Sequence, residues 1–242
     1  MFARPANSIH ILNGHMISRE QASLMSQKRF YEQLKGLQKS VEFINVEKAV
    51  ELILNRREVD HPLVAFTFDD GFMDCYTMIA PVLEDFGVNA AFFINPNFVD
   101  GNESYIDRFT KETVLTPDKR PMRWDEIKKL HQRGHIIGAH TMDHYMINDD
   151  NLTALEFQIG RCKAVIEDKL STACEYFAFP YGRMEHANRN SIDIACKYYT
   201  YVFSQSDYRH YFSFDGRVIN RRHFEPFWPV NHVNYFLSSL KK

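Results

Sequence analysis

Leu63-Val64-Ala65-Phe66-Thr67-Phe68-Asp69-Asp70-Gly71 is the stretch on which the fold turns. Six nearly continuous apolar positions with a β-branched and aromatic bias read as a strand buried on both faces, the mark of a parallel sheet covered by helices. Two carboxylates and a glycine follow at once. In parallel α/β folds the chemistry sits just beyond the carboxyl ends of the strands, where Asp69 and Asp70 fall. Adjacent side chains diverge, so one carboxylate can bind a metal while its neighbour faces substrate. Gly71 suits a sharp turn. Alone, the string reads equally well as a solvated Asp-Asp-Gly turn.

Working outward, further strand candidates alternate with helical patterns. Ser8-Ile9-His10-Ile11-Leu12 runs into the turn Asn13-Gly14-His15. Asn89 to Ile94 is a strand, and His135-Ile136-Ile137-Gly138-Ala139 delivers His140. Tyr176 to Phe179 ends at Pro180-Tyr181-Gly182; Tyr201 to Phe203 and Arg217 to Asn220 complete the set. Between them, helices are expected over 19–39, from Asn45 as N-cap through Leu54, and over 75–86, 124–133 (stopped by Gly134), 152–170, 187–198 and 230–240. Residues 95–120 read as a long excursion, a length at which loops are usually functional or disordered. This alternation implies a parallel sheet, open or closed into a barrel. No repeat, low-complexity tract or linker divides the chain, so residues 1–242 are expected to form one α/β domain.

The bulk composition fits that expectation. Of 242 residues, 45% are hydrophobic and 25% charged, enough for a single core. A formal charge of -2 gives no basis for a nucleic-acid partner. Cys75, Cys162, Cys174 and Cys196 form no CxxC pair and read as reduced, mostly buried thiols. Polar residues interrupt every apolar run well short of the ~18 positions a membrane span needs. Residues 1–20 show no basic patch leading into an apolar run, so a cytoplasmic location is expected if Met1 is the true start. Oligomeric state is not legible.

The second chemical string is His140-Thr141-Met142-Asp143-His144. Histidines four apart on a helical turn lie on one side and can clamp one ion. Such a pair is common by chance on a surface helix. Joined to a carboxylate after a neighbouring strand, it supplies three ligands for one divalent metal, with a second carboxylate left over as base. A site of two nitrogens and one oxygen accepts zinc, cobalt, nickel or iron. Taken singly, Phe177-Ala178-Phe179-Pro180-Tyr181-Gly182 is a strand and turn, His15 a loop histidine, and Arg221 and Arg222 solvated charges.

In order and spacing, 67–71, 140–144 and 177–182 resemble the first three motifs of the polysaccharide deacetylases, the NodB-homology carbohydrate esterases. The resemblance covers roughly residues 8 to 205. It implies a distorted (β/α) barrel of about seven parallel strands. It also implies a divalent ion, zinc by family expectation, held by Asp70, His140 and His144, with Asp69 as general base. The reaction would be hydrolysis of an N-acetyl (or O-acetyl) group on a sugar or glycan precursor, the oxyanion resting on the metal and a backbone N–H near Tyr181. Three departures stand out. Ala178 occupies the place of an arginine that orients the base, a role open to Arg221 or Arg222. A Trp-Asp motif is missing around residues 203–207. The late general-acid histidine is also missing from its usual place. The string 11–17 resembles the permuted branch, in which that strand and histidine stand at the front, so His15 would be the acid; His223 and His232 are the alternatives. Two other functions share these features: hydrolysis of another small amide or ester, such as a formyl group, and glycan binding without catalysis.

Overall fold

A computed structural model describes residues 3–205 and 207–242. Its sheet contains β1 (Ile9–Gly14), β2 (Glu42–Phe43), β3 (Leu63–Phe68), β4 (Ala90–Ile94), β5 (Ile136–Ala139), β6 (Tyr176–Ala178), β7 (Tyr201–Ser204), β8 (Phe212–Ser213), β9 (Val218–Asn220) and β10 (Arg222–His223). The strand order is β10-β1-β3-β4-β5-β6-β7-β9-β8, with β2 also on β3. Every pairing is parallel except β8 on β9. This is the expected α/β architecture, a curled, mostly parallel sheet. Its two ends meet on one segment: Val218, Ile219 and Asn220 pair with β7, while Arg222 and His223 pair with Leu12 and Asn13 of β1.

Alternation along the strands divides the core. Leu63 and Ala65 of β3, with Ala91 and Phe93 of β4, join Val46, Ala49, Val50 and Ile53 of helix Val46–Leu54. Val64, Phe66 and Phe68, with Ala90, Phe92 and Ile94, join Phe30, Leu34 and Leu37 of helix Leu24–Leu37. Both faces of the strands are therefore apolar, as a continuous hydrophobic run requires. Thr67 and Asp69 continue the alternation of Leu63 and Ala65, which brings Asp69 to the carboxyl end of that face.

Several expected elements take a different form. Helix Leu24–Leu37 begins later than residue 19, where Ser23 accepts a hydrogen bond from the Ser26 N–H. Asn45 occupies the N-cap of helix Val46–Leu54 without capping it. Asn89 does so instead, accepting from the Val46 N–H at 3.0 Å while its own N–H donates to Asn45 Oδ1. The excursion 95–120 is largely helical: Pro96–Val99, Glu103–Arg108 and a π-turn at Phe109–Thr113. Pieces of four to six residues are too short for an apolar period to show. Among the described residues no helix is long and apolar enough to cross a membrane. The four cysteines are free, with only Cys196 exposed.

Candidate active site

Asp69 follows β3, and its backbone N–H donates to the Gly14 carbonyl at the end of β1, placing it beside His15. Its carboxylate is held by Arg221 through two bonds, Nη1 to Oδ1 and Nη2 to Oδ2, each 2.8 Å. Arg221 is fully buried between β9 and β10. It also donates to Thr67 Oγ1 (3.0 Å) and the Ser204 carbonyl (3.1 Å) and lies over the Phe93 ring. Burial alone would raise the Asp69 pKa, but the guanidinium prevails and holds the carboxyl well below the usual carboxylate range. Arg222 is placed elsewhere. It donates to the carbonyls of Phe236 and Ser239, so it ties down the C-terminal segment and does not reach Asp69. Of the two candidates, Arg221 alone contacts Asp69.

Asp70 adopts φ +71 and Gly71 φ +70. A Cβ on Gly71 would meet Ile94 Cγ2 at 2.9 Å, so this turn needs glycine twice over. The turn directs Asp70 Oδ1 toward two histidines, 3.6 Å from His140 Nε2 and 3.4 Å from His144 Nε2. All three residues are buried. His140 Nδ1 donates to the Ala178 carbonyl at 2.7 Å, which fixes the tautomer and leaves the Nε2 lone pair facing Asp70. Burial lowers His140 to about 4 and His144 well below its ordinary value, favouring neutral rings. Burial raises Asp70 to about 7. Asp70 Oδ1 has no hydrogen-bond partner among the described residues. A buried carboxylate oxygen left orphaned before the nitrogens of two imidazoles is a donor set for a divalent ion, and these residues fit one.

The expected helical turn from His140 to His144 is absent. Thr141 and His144 have φ of +63 and +56, so the two rings meet through an irregular turn. That turn is built by neighbours invisible at short range. Buried Asn95 donates to the carbonyls of His140 and Thr141. Asp143 accepts from Asn97 Nδ2 (2.7 Å), Tyr105 OH (2.6 Å) and Gln158 Nε2 (2.9 Å). The helical excursion therefore braces the turn that carries His144, and residues 113–117 at its end form one wall of the cavity.

That cavity, about 590 Å³, also holds Asp69, Asp70, His140, His144, Tyr181 and His15. Tyr181 sits in a left-handed turn after β6, its ring edge-on to His144 at 4.7 Å and 40% exposed. His15 follows β1 and donates from Nδ1 to Glu225 Oε1 at 2.8 Å. Its burial would lower the pKa, but Glu225 dominates and raises it to about 9. Glu225 was not anticipated; no local pattern links it to a histidine 210 residues away. Of the alternatives to His15, His223 approaches the same Glu225 Oε1 at 3.6 Å, its ring 5.7 Å from that of His15. His232 packs on Trp228 and Phe236 and is exposed, away from the cavity.

A sequence model of the family described as Polysaccharide deacetylase matches residues 56–200. The chain belongs to that family. YxkH of Bacillus subtilis (strain 168), named for the same family, is 23% identical over 181 residues, which is 74% of this chain and 58% of YxkH. The chain thus spans somewhat over half the length of that relative. Among solved structures, IcaB from Ammonifex degensii superposes with a TM-score of 0.76 at 20% identity, covering 98% of this chain and all of that one. The Streptococcus pyogenes deacetylase PplD, in complex with acetate, gives 0.71 at 16% identity, covering 96% and 99%. A de-N-acetylase from Aggregatibacter actinomycetemcomitans gives 0.66 at 16%, covering 94% and 98%. At these identities the superpositions establish the polysaccharide-deacetylase barrel fold.

Proposed function

We propose that this polysaccharide-deacetylase family member is a metal-dependent hydrolase that removes an N-acetyl group from an acetylated glycan. One juxtaposition carries the reading: the orphaned Asp70 oxygen facing two neutral imidazoles, with an Arg221-clamped Asp69 and a Glu225-paired His15 in the same cavity. Similarity to a de-N-acetylase and to a deacetylase that holds acetate supports the choice of acyl group.

A divalent ion on Asp70, His140 and His144 supplies Lewis acidity, lowering the pKa of water and polarising a carbonyl; zinc suits the donors, as do cobalt, nickel and iron. Asp69 takes a proton from the attacking water. Arg221 occupies two of the carboxylate's roughly four lone-pair sites, leaving others to receive it. The water oxygen bonds to the acetyl carbon, and the backbone N–H of Tyr181, which donates to no other group among the described residues, steadies the oxyanion. As the C–N bond breaks, the amine departs with the Nε2 proton of His15, which Glu225 keeps charged near neutral pH.

The test is acetate release from N-acetylhexosamine oligosaccharides by the metal-loaded protein. Asp69→Asn and His15→Ala are each expected to lower kcat by about 10²–10⁴, with little effect on the ion at Asp70, His140 and His144. Wild-type turnover in Asp69→Asn would refute the assignment of the base.

A further inference from the structure

A second group of metal-ligating side chains adjoins the first, and the deacetylation uses only part of it. One ligating atom from each of His15, His223 and Glu225 lies within 4.8 Å of the other two. Glu225 Oε1 is 2.8 Å from His15 Nδ1 and 3.6 Å from His223 Nε2. Two donors on one tetrahedral ion, with bonds of about 2.0–2.1 Å, stand about 3.4 Å apart. The two separations from Glu225 Oε1 straddle that value, and the third is at most 4.8 Å, so modest side-chain adjustment gathers all three on one ion.

A further observation points to a ligand. The Glu225 side chain is 7% exposed, and its Oε2 has no partner among the described residues, an unsatisfied burial that costs free energy unless something offsets it. His223 Nδ1 accepts from Gln205 Nε2 at 2.6 Å, which puts the neutral ring's proton on Nε2. Binding of an ion at Nε2 therefore displaces that proton, or turns the Gln205 amide so that its oxygen accepts from Nδ1. His15 and Glu225 line the same cavity as the first site. The His223 side chain is 32% exposed and lines an adjoining opening with Met184 and Tyr208.

We propose that His15, His223 and Glu225 form a second divalent-cation site, selective for zinc-like ions, whose occupation turns the enzyme off. Two imidazoles and one carboxylate favour zinc, cobalt or nickel over magnesium or calcium. The consequence for activity rests on His15 being the proton donor. An ion on Nδ1 replaces the proton that Glu225 accepts, no imidazolium forms, and the remaining N–H is too weak an acid to serve the leaving amine. Free zinc above the first equivalent then acts as an inhibitor.

The test is Zn²⁺ binding to the metal-free full chain, by equilibrium dialysis with elemental analysis, for wild type, His223→Gln, His223→Asn and Asp70→Ala. Two ions are expected in wild type and one in each variant. Zinc beyond one equivalent should slow wild-type deacetylation at least tenfold and the His223 variants less than twofold. One ion in wild type, kept in His223→Gln and lost in Asp70→Ala, overturns the second site and leaves the proposed function standing. The reverse pattern upholds the second site and refutes the first. No binding overturns both. Circular dichroism identifies folded variants; should neither His223 variant fold, retention or loss of an ion in Asp70→Ala decides the question.

Discussion

Asp69 is ionised, almost fully buried and held by one cationic partner, so removing Arg221 strands a charge in the core. Arg221→Met is expected to destabilise the protein by about 3–5 kcal/mol in urea unfolding, because an unpaired buried charge costs far more than an intact pair contributes. A loss below about 1 kcal/mol would show that the pair is not held as described. The sign with pH follows from the depressed Asp69 pKa. The folded state binds the proton less readily than the unfolded, so the pair's stabilisation is complete above the ordinary value near ~3.9 and lost as pH falls below it. His15 behaves oppositely. Raised from 6.5 to about 9, it contributes stability that is full below 6.5 and lost as pH rises through about 9. Glu225→Gln is therefore expected to move the alkaline limb of the pH–rate profile downward, toward the ordinary histidine value; an unmoved limb would exclude His15 as the acid. Asp69, Asp70, His140, His144 and His15 were each legible as candidates because each follows a strand. The choice between Arg221 and Arg222 was not, because neighbours in an extended segment point opposite ways and only the register decides which faces the site.

At the scale of elements, the site depends on turns more than on regular structure. Gly71→Ala forces a Cβ against Ile94 at φ +70 and is expected to cost about 1–3 kcal/mol while lowering metal affinity through Asp70. Thermal unfolding and metal titration read the two effects separately, and a variant with wild-type affinity would argue against this turn aiming the ligand. Asn89 caps helix Val46–Leu54 from outside it, so Asn89→Ala is expected to cost about 1 kcal/mol or more. Strands β3 to β7 were readable from their apolar runs. The His140–His144 turn was misread as helical because spacing alone cannot distinguish a helical turn from one shaped by Asn95, Asp143 and the helices of 96–108. The two-residue strands β2, β8 and β10 carry no periodic signal at all.

The whole molecule is closed by residues 218–223, which pair with β7 through one half and with β1 through the other. That closure brings Arg221 to Asp69 and Glu225 to His15 across 152 and 210 residues. The alternation of strands and helices implied a parallel sheet, open or closed into a barrel, and the front-placed strand resembled the permuted branch. Which segments join the ends of the sheet is a long-range pairing, and no local pattern encodes it. The proposed function stands on Asp70, His140 and His144 sharing one cavity with Asp69 and His15 at this closure. The most direct measurement is acetate release from an N-acetylhexosamine oligosaccharide by metal-free protein before and after one equivalent of zinc or cobalt, with His140→Ala alongside. Activity absent at first, restored by one equivalent, and not restored in His140→Ala is the expected result. Full turnover by the metal-free protein would overturn the metal-dependent reading.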